Sequence, residues 1–398
     1  MTERLYYNDT RLVEFDARVV AVTEKEGGRA AVTLDRTAFY PTGGGQPSDT
    51  GTLGAARVVE CAEAEGGDVL HFIEGEAPQV GARARGLVDW ARRLDHVQQH
   101  TGQHILSQAF VELFGAQTRS FRMMEDASEV DVDLPEPSDE RVERAVSRAN
   151  EIIWDDRPVR AHNVSAEEAA RMPLRRDSAR EGELRVIEIE GFDMSPCGGT
   201  HARRTGEVGL IAARHWERAK GLVRVTFVAG GRALADYRRA NRTAREVAAL
   251  FSVGRDEAAA AAARLQDENK SLLKRLRSLA EVAARAEARG LLAAAGTAEG
   301  ARVVARVFED KGADELRLLA VALAAEPGVV ALLGSRDGEA ARLVFARSAD
   351  AAGDMGALVR EASAALEGRG GGRPDMAQGG GRRAERLEEV IEAASRKI

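Results

Sequence analysis

The feature that most constrains this fold is a heptad repeat in an Ala-, Arg-, Glu- and Leu-rich stretch at 256–292. One core position of the repeat is apolar throughout and comprises Ala258, Leu265, Leu272, Leu279 and Ala286. The other core position comprises Ala262, Asn269, Leu276 and Ala283. An asparagine at such a position fixes the register of coiled coils. The repeat therefore predicts one continuous helix about 55 Å long.

A shorter stretch of similar composition precedes this helix at 232–250, and the two are separated by a break at Ser252-Val253-Gly254. Two helices joined by a glycine-containing break indicate a helical hairpin, which would act as a spacer arm between domains. Dimerisation of two chains through the same apolar seam is the alternative, and the pattern does not separate the two.

The regions on either side of the arm mix strand and helix patterns. Strand-like runs at 18–23 and 29–34 flank a predicted turn, and a glycine cluster at 39–51 cannot be regular structure. We expect an α+β protein with a β-rich N-terminal subdomain, an α/β region, the arm and a small C-terminal α/β domain. The predicted boundaries are 1–90, 91–230, 231–295 and 296–398. Within the last domain, the glycine-rich stretch 368–381 is predicted to be a loop.

Composition excludes several classes of protein. The sequence contains no run of about 18 apolar residues, the length needed to span a membrane, and its N-terminus does not resemble a secretory signal. Two cysteines are too few for a disulfide framework, so we expect a cytoplasmic protein without a membrane partner. A net charge of −7 argues against indiscriminate coating of nucleic acid, although it allows local basic surfaces.

Two short motifs have the spacing of metal ligands. His100 and His104 lie four residues apart on a predicted helix at 92–114, so their side chains share one face. Cys197 and His201 are also four apart, around a Gly-Gly pair that allows tight backbone curvature. Three imidazoles and one thiolate match zinc in number and softness. Four protein ligands would close the metal shell, whereas a displaceable fourth ligand would leave room for substrate.

Four ordered motifs resemble a known family. Phe39-Tyr-Pro-Thr-Gly-Gly-Gly-Gln-Pro-Ser-Asp-Thr-Gly51, His100-Thr-Gly-Gln-His104 and Cys197-Gly-Gly-Thr-His201 resemble the editing domain of alanyl-tRNA synthetases and its free-standing AlaX relatives. The C-terminal Gly370-Gly-Gly-Arg-Pro-Asp-Met-Ala-Gln-Gly-Gly-Gly381 is similar to the DHH-associated domain of those synthetases. The resemblance covers nearly the whole chain, with the motifs in the same order. This arrangement is similar to the long AlaX type.

The resemblance implies one Zn²⁺ per chain and hydrolysis of mischarged tRNA(Ala), namely Ser-tRNA(Ala) and Gly-tRNA(Ala). The implied zinc ligands are His100, His104, Cys197 and His201. Residues 1–90 are too few for an ATP-dependent ligase domain, so we expect an ATP-independent deacylase without aminoacylation activity. The alternative is a non-catalytic, zinc-stabilised tRNA-binding protein.

The remaining predicted site residues concern substrate and tRNA. Gln103 stands where the synthetases commonly carry a hydroxyl residue, and it is predicted to shape the substrate pocket with Thr42, Gly44 and Gln46. His96 lies one helical turn before His100 and is a candidate to support a ligand. The predicted tRNA contacts lie along the C-terminal glycine-rich stretch and are Arg369, Arg373, Arg382 and Arg383. A second candidate patch comprises Arg203, Arg204, Arg214, Arg218 and Lys220.

Overall fold

The computed structural model describes residues 1–24, 30–176, 182–295, 302–309, 311–338 and 340–398. Clustering of contacts divides the chain into two compact units, Met1–Glu246 and Val247–Ile398. In the described ranges the protein mixes α-helices with several β-sheets, in agreement with the mixture that the sequence predicts. None of the described helices is long and apolar enough to cross a lipid bilayer.

A closed barrel occupies the N-terminal part of the first unit. The strands here are β1 (Glu3–Arg4), β2 (Glu14–Glu24), β3 (Ala30–Leu34), β4 (Arg36–Thr37), β5 (Gly51–Leu53), β6 (Ala56–Glu63), β7 (Val69–Glu74) and β8 (Arg83–Val88). Six of them close the barrel in the order β2-β3-β7-β6-β5-β8. In β8, Ala84, Gly86 and Val88 are buried and the residues between them are exposed, as expected for strands with one face on a core. The two strand-like runs overlap β2 and β3. The turn predicted between them, at 24–28, lies outside the described residues except for Glu24, which ends β2.

The rest of the first unit packs helices against two further sheets. Its helices are α1 (Trp90–Phe114), α2 (Asp139–Trp154), α3 (Ala166–Ala169) and α4 (Gly230–Leu250). Its strands are β9 (Thr118–Met123), β10 (Ser128–Val132), β11 (Val159–Val164), β12 (Leu184–Ile189), β13 (Asp193–Pro196), β14 (Ile211–Ala219) and β15 (Leu222–Ala229). The sheet orders are β14-β15-β10-β9 and β11-β12-β13.

Helix α1 is the central element of this unit. The Asp89 carboxylate accepts hydrogen bonds from two backbone N–H groups of the first turn, and Gly115 ends the helix with a φ of 66°. Both are typical helix-terminating signals. Ile105 and Phe110 on one face pack into a core shared with α2 and β15. The packing leaves a second buried face of α1 for its histidines.

A fully buried ion pair ties α1 to the glycine cluster at 39–51. Neither the Arg93 nor the Asp49 side chain is exposed, and Arg93 Nη2 lies 2.5 Å from Asp49 Oδ2. Arg93 also donates to the carbonyl oxygens of Thr10 and Ala38, while Asp49 accepts from the Tyr40 N–H. Since both charges are hydrogen-bonded on several sides, the pair anchors the loop without leaving an orphan charge.

The predicted long helix is present as α5 (Ala258–Ala294), and its 37 residues span about 55 Å. Leucines at its heptad positions are exposed in the single chain, 54% for Leu265 and 64% for Leu272 and Leu276. Burial occurs instead near the two helix ends, at Ala258 and Ala261 and at Ala284 and Ala288. The spacer arm and the dimer seam therefore both stay predictions.

The second unit also contains a five-stranded sheet covered by helices on both faces. Its remaining elements are β16 (Arg302–Glu309), α6 (Ala313–Ala324), β17 (Val329–Asp337), β18 (Ala340–Arg347), α7 (Met355–Ala365), β19 (Arg369–Gly372), β20 (Met376–Gly381) and α8 (Leu387–Ser395). The order is β16-β17-β18-β20-β19, with β16 and β17 parallel. Val330 and Leu332 of β17 pack in the core with α7 and α8, whereas Ala331 and Leu333 pack in the core with α6. The two-residue period of a strand thus builds both cores.

The prediction of a loop at 368–381 is wrong, because this stretch forms the antiparallel strands β19 and β20. Glycine is depleted in strands, so the composition argues against them. Here it is required because α7 lies directly on the backbone: a Cβ at Gly370 or at Gly379 would lie 2.4 or 2.2 Å from Ser363 Oγ. The close packing of α7 on the glycine backbone of β19 and β20 cannot be recognised from the sequence of this stretch.

Candidate metal centre

Four side chains from two distant segments converge on one point. The ligand atoms of His100, His104, Cys197 and His201 all lie within 4.8 Å of one another. Cys197 Sγ is 3.4 Å from His100 Nε2 and 3.3 Å from His201 Nε2. The structure therefore brings together the four residues that the two spacings single out, and this group could hold a metal ion.

Local structure explains how each segment supplies its pair. The i, i+4 spacing on α1 puts His100 and His104 on one face, with ring centroids 5.5 Å apart. The other pair comes from the turn after β13, where a Cβ at Gly199 would lie 2.2 Å from His100 Cε1. Only glycine allows this turn to pass directly against the ring of His100, which brings Cys197 and His201 to the helix.

The Nδ1 atom of each imidazole lies within hydrogen-bond distance of an oxygen outside the cluster. His100 Nδ1 lies 2.7 Å from Gln46 Oε1, and His104 Nδ1 lies 3.2 Å from Asp193 Oδ2. The Nδ1 of His201, on the turn, lies 3.3 Å from Thr101 Oγ1. Amide and carboxylate oxygens accept, so Nδ1 carries the hydrogen in His100 and His104, and the lone pair of each of their Nε2 atoms is available to a metal.

The ionisation states suit metal binding. Burial lowers the pKa of His201 to about 3, which keeps this imidazole neutral. Burial acts in the opposite direction on Cys197, but the neighbouring His100 and His201 outweigh it, and the pKa of the thiol lies well below its ordinary value. A neutral imidazole and a thiolate are the forms that bind zinc.

A second charge pair stands behind His104. Burial would raise the pKa of Asp193, but hydrogen bonds from His104 and the charge of Arg175 lower it to about 2. Arg175 Nε lies 2.8 Å from Asp193 Oδ1. For His104, burial is outweighed by Asp193 and Cys197, so its pKa is raised. Asp193 is thus ionised and holds His104 from the side opposite the metal position.

A cavity of about 600 Å³ opens onto the cluster. Three of the predicted pocket residues, Gln103, Thr42 and Gly44, line it together with His100, His104 and Cys197. Gln46 does not line it: its side chain is almost fully buried and lies behind His100, with its amide also bonded to Thr200. Gln103 donates from Nε2 to Ser107 Oγ at 2.7 Å.

The predicted tRNA-contacting arginines lie in the second unit, at the ends of β19 and β20. Arg373 pairs with Asp375 at 3.0 Å, and Arg383 pairs with Glu367 at 2.8 Å. Arg369 and Arg382 form no salt bridge with any described residue. In the second candidate patch, Arg203, Arg204 and Arg214 pair with aspartates.

Several residues at the centre were not predicted as site residues. Asp193 and Arg175 lie far in sequence from His104, the ligand that they support. Thr101 lies between His100 and His104, at a position that no motif singles out. Only the closeness of Asp193 to Cys197 in the chain could have drawn attention to it. His96 is not among the four clustered side chains, and its buried Nδ1 has no hydrogen-bond partner in the described structure.

Three family models match parts of this chain. The DHHA1 domain matches residues 300–398, and the threonyl and alanyl tRNA synthetase second additional domain matches 184–226. The model of class II (A) tRNA synthetases matches 1–92. The second of these matches contains Cys197 and His201.

Relatives of two kinds share this sequence. The alanyl-tRNA editing protein AlaX-L of Pyrococcus horikoshii is 38% identical over 243 residues, 59% of each chain. The alanine–tRNA ligase of Natronomonas pharaonis is 36% identical over 408 aligned positions, 99% of this chain and 43% of the ligase. This chain therefore spans less than two thirds of the length of either relative.

Among solved structures, the C-Ala domain of Aquifex aeolicus alanyl-tRNA synthetase matches 25% of this chain and 94% of its own, with 29% identity and a TM-score of 0.24. The sequence matches cover both the metal-ligand motifs and the C-terminal sheet. This chain is thus a homologue of the alanyl-tRNA editing protein AlaX-L, and its domain matches fit an AlaX-like protein related to the alanine–tRNA ligases.

Proposed function

We propose that this protein is a trans-editing hydrolase that deacylates mischarged tRNA(Ala), with Ser-tRNA(Ala) and Gly-tRNA(Ala) as substrates. The observation that carries the proposal is the convergence of four ligand atoms within 4.8 Å at a cavity of about 600 Å³. Such a cavity has room for the aminoacyl end of a tRNA. The similarity to an editing protein supports the same activity.

One Zn²⁺ per chain fits the donor set of His100, His104, Cys197 and His201. Three imidazole nitrogens and a thiolate are typical of tetrahedral zinc. When bound, zinc supplies a Lewis acid that polarises or anchors the aminoacyl ester. The protein's own part is to hold three Nε2 atoms in place through the Nδ1 hydrogen bonds to Gln46, Asp193 and Thr101. Gln46, first considered a pocket residue, would act here by orienting His100.

Substrate selection is the task of the cavity wall. An aminoacyl ester is already activated, so the protein needs mainly to position it and to reject alanine. A polar group that bonds the serine hydroxyl is left unpaired by alanine, which disfavours alanine relative to serine. Glycine also lacks the hydroxyl, so this contact selects the seryl ester only. Gln103 and Thr42 line the cavity, and Gly44 leaves space beside them. Because Gln103 donates to Ser107, its Oε1 is the atom available to accept a bond from substrate.

The body of the tRNA would be held by the C-terminal part of the chain, through Arg369, Arg373, Arg382 and Arg383. In this proposal the chain has four parts, at 1–90, 91–230, 231–295 and 296–398. The first two form the catalytic site, the third is the spacer arm and the fourth binds tRNA. The arm would place the C-terminal domain on the tRNA or pair two chains through its exposed leucines. A cytoplasmic location follows from a tRNA substrate.

The test is a single-turnover deacylation assay with Ser-, Gly- and Ala-tRNA(Ala). Wild-type protein should hydrolyse the first two faster than the third. In Cys197→Ala the rate of deacylation should fall by more than the roughly 10- to 100-fold that results from removing a hydrogen-bond partner of a metal ligand. Cys61→Ala is the matched control, because Cys61 is a free cysteine buried in the barrel.

Zinc content measured alongside identifies the contrary result. A protein that binds zinc and tRNA(Ala) but leaves all three esters intact would be the non-catalytic tRNA-binding alternative. The similarity to AlaX-L does not favour that alternative.

A further inference from the structure

One arginine grips the turn that carries Cys197. Arg185, on β12, donates from Nη1 to the carbonyl oxygens of both Cys197 and Gly199, each at 2.9 Å. Its own backbone carbonyl accepts the Cys197 N–H at 3.0 Å. The turn has no regular secondary structure, so these three bonds hold the backbone of the cysteine together with the pairing of Pro196 and Val186 at the end of β13.

The guanidinium of Arg185 rests on an aromatic ring rather than on a carboxylate. Its Cζ lies 5.0 Å from the centroid of Tyr7, within the range of a cation–π contact. The buried Nε has no hydrogen-bond partner, and no salt bridge to Arg185 occurs within the described residues. The ring of Tyr7 is therefore the surface that fixes the position of this side chain.

Tyr7 is itself held by the barrel and by its neighbours. Arg4 donates from Nη1 to the Tyr7 hydroxyl at 3.0 Å and pairs with Glu63 of β6 at 2.5 Å. Farther along the same segment, Thr10 Oγ1 donates to the carbonyl of His201 at 2.8 Å. The segment Arg4–Thr10 thus supports both ends of the turn, one through Arg185 and one directly.

We propose that Arg185, seated on Tyr7, is a positioning residue that sets the location of the Cys197 thiolate relative to the three imidazoles. The inference rests on the metal site of the proposed function. Loss of Arg185 should leave the histidines on α1 in place, because their support comes from Gln46 and Asp193. It should release Cys197 alone, so that a bound metal keeps its nitrogen ligands and loses sulfur.

Cobalt-substituted full-length protein separates these ligands by spectroscopy. Arg185→Gln should weaken the thiolate-to-cobalt charge-transfer band and lower zinc affinity by roughly 10- to 100-fold in chelator competition. Tyr7→Leu should act in the same direction, and Tyr7→Phe, which keeps the ring, should restore the wild-type band. Arg160→Gln is the control, because Arg160 lies on the neighbouring strand β11 and pairs with Glu190 at the surface.

Each outcome decides the proposal. If Arg185→Gln and Tyr7→Leu both keep the wild-type band and zinc affinity, Arg185 has no positioning role. If Arg185→Gln does not fold by circular dichroism, the comparison of Tyr7→Leu with Tyr7→Phe decides instead. If wild-type protein shows no thiolate band, the metal site of the proposed function fails and the inference falls with it. A wild-type band with unchanged variants overturns the inference alone.

Discussion

The Nδ1 atoms of the three imidazoles in the candidate metal centre face three different kinds of oxygen: an amide, a carboxylate and a hydroxyl. These oxygens differ in charge, so their effect on the imidazoles differs as well. The carboxylate of Asp193 carries a full charge and shares it with Arg175. A carboxylate behind a ligating histidine raises its basicity and fixes its ring.

Replacing Asp193 by asparagine tests this contact at constant shape. Asp193→Asn keeps an oxygen for His104 but removes the charge that holds it, so zinc affinity should fall by roughly 10-fold or more. Competition with a chromophoric chelator measures the change. Asp131→Asn is a matched control, since Asp131 also pairs with an arginine, Arg224, at 2.8 Å. Equal affinities in the two variants would mean that Asp193 contributes only to packing.

A histidine far from the metal centre governs acid stability. His71 is fully buried in the barrel, where Nδ1 donates to the Val32 carbonyl at 2.9 Å and Nε2 accepts from Thr37 Oγ1 at 2.8 Å. Burial lowers the pKa of His71 to about 4, from an ordinary value of 6.5. Between these values the unfolded chain binds a proton that the folded chain does not.

The free energy of unfolding should therefore fall as the pH drops from 6.5 towards 4, by about 3 kcal/mol from His71. Burial lowers the pKa of His96 to about 4 as well, which adds to the same trend. Urea unfolding at a series of pH values should show a shallower slope for His71→Gln than for wild type. A slope that His71→Gln leaves unaltered would contradict the assignment.

At the scale of elements, the turn from Cys197 to His201 is shaped by what surrounds it. Gly199 lies against His100, and Gly198 would bring a Cβ to 3.4 Å from the Tyr7 hydroxyl. Glycine is therefore required at 199, by the close contact with the His100 ring, whereas a Cβ at Gly198 would only touch the Tyr7 hydroxyl. The Gly-Gly sequence indicates tight curvature, but the surfaces that it contacts lie about 100 and 190 residues away.

Elements with strong local periodicity could be predicted from the sequence. Helix α1 was expected at 92–114 and is found at Trp90–Phe114, and the heptad stretch is the continuous helix α5. These two predictions are correct because the helical period of 3.6 residues can be recognised from residues that are close together in the sequence. The strands β19 and β20 were not predicted, because their glycines are required by close contact with α7. Local strand propensity carries no information about that contact.

The candidate site shows the same division between local and distant information. Ligand spacing predicts His100, His104, Cys197 and His201, since each pair is close in sequence. The outer partners Gln46 and Asp193 could not be assigned to a ligand, because the pairing depends on how loop, helix and strand meet. Closure of the barrel is likewise a property of six strands together.

At the scale of the whole molecule, the two units contribute different surfaces to the proposed function. Arg369 and Arg382 have no salt bridge within the described chain, so their charges remain available to phosphates. Arg369→Gln with Arg382→Gln should weaken tRNA(Ala) binding and reduce the slope of log affinity against log salt by about 1 per lost phosphate contact. Fluorescence anisotropy over a range of salt concentrations measures both.

The control for tRNA binding is Arg396→Gln, just after the end of α8, where the arginine pairs with Glu392 one turn away. Its affinity and salt slope should match wild type. Zinc content should be the same in all three proteins, because the metal ligands lie in the first unit. An unchanged salt slope in the double variant would remove the ends of β19 and β20 from the tRNA interface.

The distance along the chain between the two ligand pairs has a consequence for biosynthesis. During translation, His100 and His104 leave the ribosome more than ninety residues before Cys197. In that interval the nascent chain presents two imidazoles without the thiolate, and copper binds nitrogen ligands more tightly than zinc does. On the proposed function, the set of four ligands is complete only once residue 201 has emerged, so the growing chain passes through a stage at which it offers a metal two nitrogen ligands and no sulfur.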